Sequence, residues 1–202
     1  MTNRQHPGVR SPHAAERPTS GGEHRTAPSP WVRRFLPGVR PGGSVLDVAT
    51  GRGRHLRLAL EHGFAVTGID RDLSGVDDLR DKPGVELIET DLEDGRPFPL
   101  AGRTFDGVIV TNYLWRPILP AIVAAVAPAG LLIYETFAAG QERYGRPNNP
   151  DFLLRPGELI EAVRPRLVPI AYEHVTLSEP TRIVAHIAAI GPEHPWLSDP
   201  PG

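Results

Sequence analysis

The chain has 202 residues, no cysteine, and a formal charge of −2 from 22 basic and 24 acidic side chains. That length suits one domain with one core. The balanced charge gives no support for a dedicated nucleic-acid surface, and the missing thiols exclude disulfides, thiolate metal sites and a cysteine nucleophile.

Residues 1–30 carry Pro7, Pro12, Pro18, Pro28 and Pro30 among Ser, Thr, Gly, Arg and His, with Val9 the one large aliphatic side chain after Met1. Such a stretch buries too little apolar surface to offset the entropy of ordering it, so a disordered tail is expected. His6, His13 and His24 within it lack the spacing of metal ligands. Trp31, Val32, Phe35 and Leu36 then form an i, i+1, i+4, i+5 face, the mark of a short helix docking on the domain. From Gly42 onward strand and helix patterns alternate. Strands are expected over 44–49 (SVLDVA), 65–70 (AVTGID), 85–90 (VELIET), 105–111 (FDGVIVT) and 131–137 (LLIYETF). Helices are expected over 54–62, 73–80, 117–127 and 158–163. Pro117 opens one of these, where a missing N–H costs nothing, and Pro156 leads into another.

Two more strands, 167–175 and 182–190, are joined through Ser178-Glu179-Pro180. That connection is too short for anything but an antiparallel hairpin. The pattern predicts an α/β fold: a Rossmann-like, doubly wound, seven-stranded sheet, mostly parallel with a C-terminal antiparallel hairpin. It fills residues 31–191 and leaves 192–202 as a flexible tail. The longest mainly apolar run, 121–134, contains Pro128 and Gly130 and falls short of the roughly 20 residues of a membrane helix. With no apolar signal core at the N-terminus, a cytoplasmic protein is expected.

The strongest local signal is the D-x-A-x-G-x-G stretch Asp47-Val48-Ala49-Thr50-Gly51-Arg52-Gly53, a strand running through a glycine turn into a helix that opens with Arg54 and His55. Gly51 and Gly53 allow a tight turn and close backbone approach, and the helix start offers free N–H groups. Pyrophosphate favours such a helix start, but a carboxylate inside the strand repels it. Asp47 instead suits a ligand bearing an ammonium group. Asp70 ends the second strand, 23 positions after Asp47. An acid at that spacing accepts hydrogen bonds from ribose hydroxyls. Asp91 follows the third strand, where it can take an adenine amino group while the Leu92 N–H reaches a ring nitrogen. Acids at the carboxyl ends of successive strands mark one crevice.

In LDVATGRGRHLRLALEHGFAVTGIDRD the chain resembles the class I S-adenosylmethionine (SAM)-dependent methyltransferases, over roughly Val39 to Ile190. Among these it is similar to the TehB-like tellurite-resistance methyltransferases and related small bacterial methyltransferases. The resemblance implies SAM as cofactor, bound by Asp47, Ala49, Thr50, Gly51, Gly53, Arg54, Asp70, Arg71, Asp91, Leu92, Thr111 and Asn112. Within that set Asp47, Ala49, Gly51 and Gly53 would shape the methionine pocket, Asp70 take the ribose and Asp91 the adenine. Ala49 stands where the family often has glycine. FLLRPGEL, at 152–159, resembles an F-x-x-K-x-G-E-L stretch of the tellurite-type proteins, with Arg155 in place of lysine.

The acceptor is expected at the carboxyl ends of the fourth and fifth strands. There stand Thr111-Asn112-Tyr113-Leu114-Trp115-Arg116 and a polar loop from Gly140 to Phe152. A loop of that length in a compact domain suggests a lid. Arg116, Arg143, Arg146 and Arg155 suit an anionic acceptor, and Tyr113, Trp115, Phe137 and Tyr144 a planar one. Glu135, Arg143, Tyr144 and Arg146 are the candidate catalytic residues. His174 and His186 read as structural or surface histidines, and no metal set is expected, since His55 and His62 lack a carboxylate partner at fixed spacing. The expected partner is a small-molecule substrate, with an oxyanion or a thiol-like nucleophile among the candidates, no membrane, no clear nucleic-acid surface, and a monomer or homodimer. Methylation of RNA or protein is the alternative, although no Asn-Pro-Pro-Tyr-like tetrapeptide follows the fourth strand. A non-catalytic SAM-binding protein is another.

Overall fold

The structure is a computed structural model that describes residues 27–200. Of the tail expected at 1–30, residues 1–26 lie outside the described residues. The chain runs α1 (Pro30–Phe35), β1 (Ser44–Val48), α2 (Arg54–Glu61), β2 (Ala65–Asp70), β3 (Val85–Glu89), β4 (Phe105–Thr111), α3 (Leu119–Ala124), β5 (Val126–Phe137), α4 (Glu158–Val163), β6 (Val168–Ser178) and β7 (Thr181–Ile190). The seven strands form one sheet in the order β3-β2-β1-β4-β5-β7-β6. β1 to β5 pair in parallel, and β7 lies antiparallel between β5 and β6. This is the expected architecture. Strand order reverses between β1 and β4, so a crevice opens at their carboxyl ends.

The central strands bury both faces, which is why they read as continuous apolar runs rather than alternating ones. Val108, Val110, Leu132 and Tyr134 pack on one side with Leu119, Ile122 and Val123 of α3 and Leu159 and Val163 of α4. Val45, Ile109, Leu131 and Ile133 pack on the other with Trp31, Val32 and Phe35 of α1 and Leu56 and Ala59 of α2.

Several boundaries differ from the sequence expectation. The helix expected at 117–127 is a 3-10 turn, Arg116–Ile118, followed by the shorter α3. Chain pairing with β4 begins already at Val126, opposite Phe105. Gly130 explains why the chain can stay so close: a Cβ there would stand 2.8 Å from the Phe105 carbonyl oxygen. The helix expected at 73–80 is a 3-10 turn, Ser74–Leu79. It lies hard against the glycine loop, where a Cβ on Gly75 would come within 2.9 Å of both the Arg52 Cα and the Gly51 oxygen. The hairpin is longer than expected, with Ser178 paired to Thr181 and only Glu179 and Pro180 in the turn.

Both flanking segments are also more tightly held than their composition suggests. Ser29 is buried, caps α1 by accepting the Trp31 N–H at 3.1 Å, and belongs to the domain. At the other end, the expected flexible tail from 192 is docked as far as residue 200 is described. The Glu193 N–H donates to the Pro128 oxygen at 2.9 Å, and His194 Nε2 stands 3.0 Å from the Gly38 oxygen. Trp196 lies against Gly38, where a Cβ would fall 2.4 Å from its ring.

Candidate functional site

β1 delivers Asp47 to the start of the glycine turn. Asp47 is fully buried, and its Oδ2 has no hydrogen-bond partner among the described residues. Burial pushes its carboxyl up to about 8, against the opposing pull of the Arg54 guanidinium and the Leu56 N–H. The ligand-free protein therefore holds a neutral acid there at pH 7, one that an adjacent cation would ionise.

Beyond it the backbone turns through left-handed conformations at Ala49 (φ 56°), Gly51 (57°) and Gly53 (71°). Glycine takes these without strain, whereas alanine carries a cost of about 1–2 kcal/mol. Ala49 thus holds strain that a glycine at this position would not. Gly53 has a second requirement, because a Cβ would meet Val76 Cγ1 at 2.2 Å. The loop is pinned by Thr50, whose Oγ1 donates to the Asp47 carbonyl at 2.8 Å and whose N–H reaches the Ile69 oxygen. Asp70, buried at the end of β2, accepts the Gly51 N–H at 2.8 Å and the Asp72 N–H at 3.1 Å. The structure so brings the glycine loop and the expected ribose acid together. Arg54 stands half-buried in the first turn of α2, and Arg71 is exposed.

Asp91 is exposed after β3 and accepts the Glu93 N–H, while Leu92 is buried. Beside them is a cavity of about 210 Å³ whose lining includes Thr90, Asp91, Leu92, Phe98, Pro99 and Ile118. Across the crevice, Asn112 holds a left-handed φ of 53° that asparagine tolerates. The hydroxyl of Tyr113 is buried without a hydrogen-bond partner among the described residues, and burial holds it well above the usual phenol range.

A second set of polar groups gathers at the carboxyl ends of β4 and β5 and the middle of β7. Thr111, Glu135 and His186 stand opposite one another in the sheet, with Glu173 of β6 opposite His186. Glu135 is 4% exposed, and its Oε2 accepts the Ser29 hydroxyl at 2.6 Å. His186 Nε2 lies 3.4 Å from that same oxygen and its Nδ1 3.8 Å from Glu173 Oε2, neither in hydrogen-bonding geometry. His55 accepts the Ser29 N–H at Nε2 (3.0 Å) and places Nδ1 3.2 Å from Thr111 Oγ1. Burial, with Arg54 and Arg33 nearby, pulls His55 down to about 3, so it is neutral and its Nε2 is free to accept. Sequence reasoning missed Ser29, His55 and the place of His186 in this set.

The loop residues fall elsewhere. Arg143, Tyr144 and Arg146 are exposed, and the Arg143 guanidinium lies 6.0 Å from the Tyr144 ring centroid. Both ends of the loop are stapled: the Ala139 N–H donates to the Leu154 oxygen and the Leu154 N–H to the Phe137 oxygen. The Gln141 side chain accepts the Ile183 N–H at 2.8 Å. Two of the expected anion-binding arginines have other work. Arg116 makes a bidentate contact with Glu158 (2.6 and 3.0 Å) and donates to the Asp151 and Leu153 oxygens. Arg155 donates to the same carboxylate through its backbone N–H at 2.8 Å and its side-chain Nε at 3.4 Å.

Residues 45–130 match the family model described as a methyltransferase domain. No curated protein matches the chain. Among solved structures, a SAM-dependent methyltransferase from Mesorhizobium loti superposes with a TM-score of 0.64 at 18% identity, over 80% of this chain and 96% of that one. A TehB-like SAM-dependent methyltransferase from Corynebacterium glutamicum gives 0.57 at 18%, over 80% and 86%. The 1,6-didemethyltoxoflavin-N1-methyltransferase of Burkholderia thailandensis, with 1,6-didemethyltoxoflavin and S-adenosylhomocysteine bound, gives 0.59 at 20%, over 80% and 76%. The fold is that of the class I methyltransferases. The matched stretch runs from β1 into β5 of that fold. The residues present fit SAM: a buried carboxylate oxygen without a partner, a left-handed glycine turn before a helix, and an acid at the end of β2.

Proposed function

We propose that the chain methylates a small molecule, held under the loop from Gly140 to Phe152 with the help of Arg143, Tyr144 and Arg146. The observation that carries this reading is that loop, stapled at both ends beside the carboxyl end of β5 and bearing two exposed arginines and an aromatic ring 50% exposed. The Burkholderia structure, which holds 1,6-didemethyltoxoflavin, supports a small-molecule acceptor.

SAM would lie along the carboxyl ends of β1 to β4. Its ammonium group would face Asp47 and the turn through Ala49, Thr50, Gly51, Gly53 and Arg54. Its ribose would face Asp70 beside Arg71, and its adenine Asp91 and Leu92, with Thr111 and Asn112 on the far wall. SAM supplies an electrophilic methyl: the acceptor's lone pair takes it as the carbon–sulfur pair returns to sulfur. The protein's part is orientation and exclusion of water. Glu135, sealed beneath Ser29, holds the N-terminal segment in this reading rather than touching the acceptor.

The test is release of S-adenosylhomocysteine from SAM against oxyanions, thiols, phenols and small acids. Once an acceptor is found, Arg143→Ala with Arg146→Ala should lower turnover at least tenfold and leave cofactor affinity within a few fold. Equal losses in both would place the loop in the cofactor pocket, and no loss in either would make it solvent-exposed surface.

A further inference from the structure

The segment before α1 crosses the crevice in a way the cofactor loop does not require. α2 follows the glycine turn directly, so its first turn stands at the methionine end of the crevice. The Ala27 oxygen accepts Arg54 Nη1 from that turn at 3.2 Å. Two residues on, Ser29 gives its N–H to His55 of the same turn and its hydroxyl to Glu135 at the end of β5. Between these anchors lies the end of β4, where Thr111 meets the other nitrogen of His55. Ser29 thus spans from α2 to β5 above β4. It also caps α1, whose Trp31 donates Nε1–H to the Ile187 oxygen at 3.2 Å and lies tilted against His186 with ring centroids 4.9 Å apart.

We infer that residues 27–31 form one wall of the cofactor's methionine pocket, and that Ser29 is the positioning residue that latches this wall to His55 and Glu135. A surface helix needs only its apolar face to dock, and Trp31, Val32 and Phe35 supply that. The two hydrogen bonds of Ser29 add something else, fixing where the chain passes relative to the glycine turn. They are short, buried and span 26 and 106 residues of sequence. The hydroxyl bond goes to a carboxylate, the kind of hydrogen bond that contributes most.

The inference rests on the SAM reading of the crevice, and the experiment separates the two. Calorimetry with S-adenosylhomocysteine is run on the full chain, Ser29→Ala and Ser29→Thr. Ser29→Ala should weaken binding about tenfold, and Ser29→Thr, which keeps the hydroxyl, should stay within about threefold of the unmodified protein. Amide exchange on the unmodified protein supplies a readout that needs no variant: the amides of Ala27, Ser29 and Trp31, the three in this segment that carry an N–H, should exchange at least tenfold more slowly with the ligand bound. A folded Ser29→Ala protein with a lower melting temperature but unchanged affinity would overturn the latch and leave the cofactor reading intact. Unprotected amides at 27–31 under saturating ligand would do the same. An unmodified protein that does not bind S-adenosylhomocysteine would overturn both.

Discussion

Asp47→Asn should make the ligand-free protein more stable at neutral pH and a poorer binder of SAM. The unfolded chain releases this proton near the ordinary value of 3.8, whereas the folded protein keeps it until about pH 8. Between those values the folded state binds more protons than the unfolded one, so stability falls as pH rises. The slope approaches about 1.4 kcal/mol per pH unit, so between pH 5.5 and 7.5 this one group removes on the order of 2–3 kcal/mol. Asparagine keeps the shape of the neutral acid and has no proton to lose. Urea unfolding at steps across that range should therefore show wild type losing stability relative to the variant, the gap widening with pH. Affinity for S-adenosylhomocysteine should move the other way and fall about tenfold or more, because an amide offers an ammonium group no charge. Binding to the wild type at pH 7 should also release protons, measurable as a dependence of the binding enthalpy on buffer. Parallel pH–stability curves for the two proteins would refute the buried-acid argument.

Ala49→Gly removes left-handed strain and should raise stability by up to about 1 kcal/mol, read by thermal unfolding, with cofactor affinity retained. Gly53→Ala should do the reverse and lower both folding yield and affinity, since the new Cβ would strike Val76. Arg116→Ala strips Glu158 of its main counter-charge and should cost about 3 kcal/mol in chemical denaturation. Burial is the largest single influence and opposes ionisation of Glu158, but the Arg116 hydrogen bonds, the Arg155 N–H and the charges of both arginines together outweigh it and hold the carboxyl below its ordinary value. The pair's contribution is accordingly present above the ordinary Glu value and lost as pH falls through the lowered one, a loss that should be absent from the Arg116→Ala variant.

The parts of the fold that were legible are those in which one segment carries its own signal. β4 and α4 fall on the expected residues because an apolar run bounded by turn residues, and a short helical pattern after Gly157, need no outside help. Where the described residues reach into the expected tails, at 27–30 and 192–200, they are held for reasons that composition does not carry. Proline and glycine content argues for disorder over a window, yet Ser29-Pro30-Trp31 is also a helix start, with a serine cap and proline at the first helical position. That local signal was available and outweighs the composition around it. Residues 192–200 dock through His194 and Trp196 onto Gly38, a contact between segments more than 150 residues apart that no local pattern encodes. The same holds for Ser29 with Glu135, and for Arg116, whose partner lies 42 residues on. The cofactor loop was readable because its glycines and acids sit at fixed short spacings. The latch was not, because its members come from α2, β4, β5, β7 and the chain before α1.

The two ends of the sheet differ in a way that size alone does not reveal. The larger hollow, about 380 Å³, lies at the amino ends of the strands, lined by Ser44, Thr67, Glu86 and Arg103 among others. The carboxylate that lines it is satisfied: Glu86 accepts Arg103 and the Thr67 hydroxyl, and nearby Asp106 accepts Arg40 and the Ser44 N–H. At the carboxyl ends stand Asp47 Oδ2, the Tyr113 hydroxyl and both ring nitrogens of His186, buried and without hydrogen-bond partners among the described residues. A buried polar atom left so costs about 1–3 kcal/mol. Loose packing would scatter such atoms over both ends, but here they gather at one. An end that is solved internally needs no ligand. An end that keeps its donors and acceptors unpaired is complementary to a polar one, and it is the end where strand order reverses and the glycine turn opens.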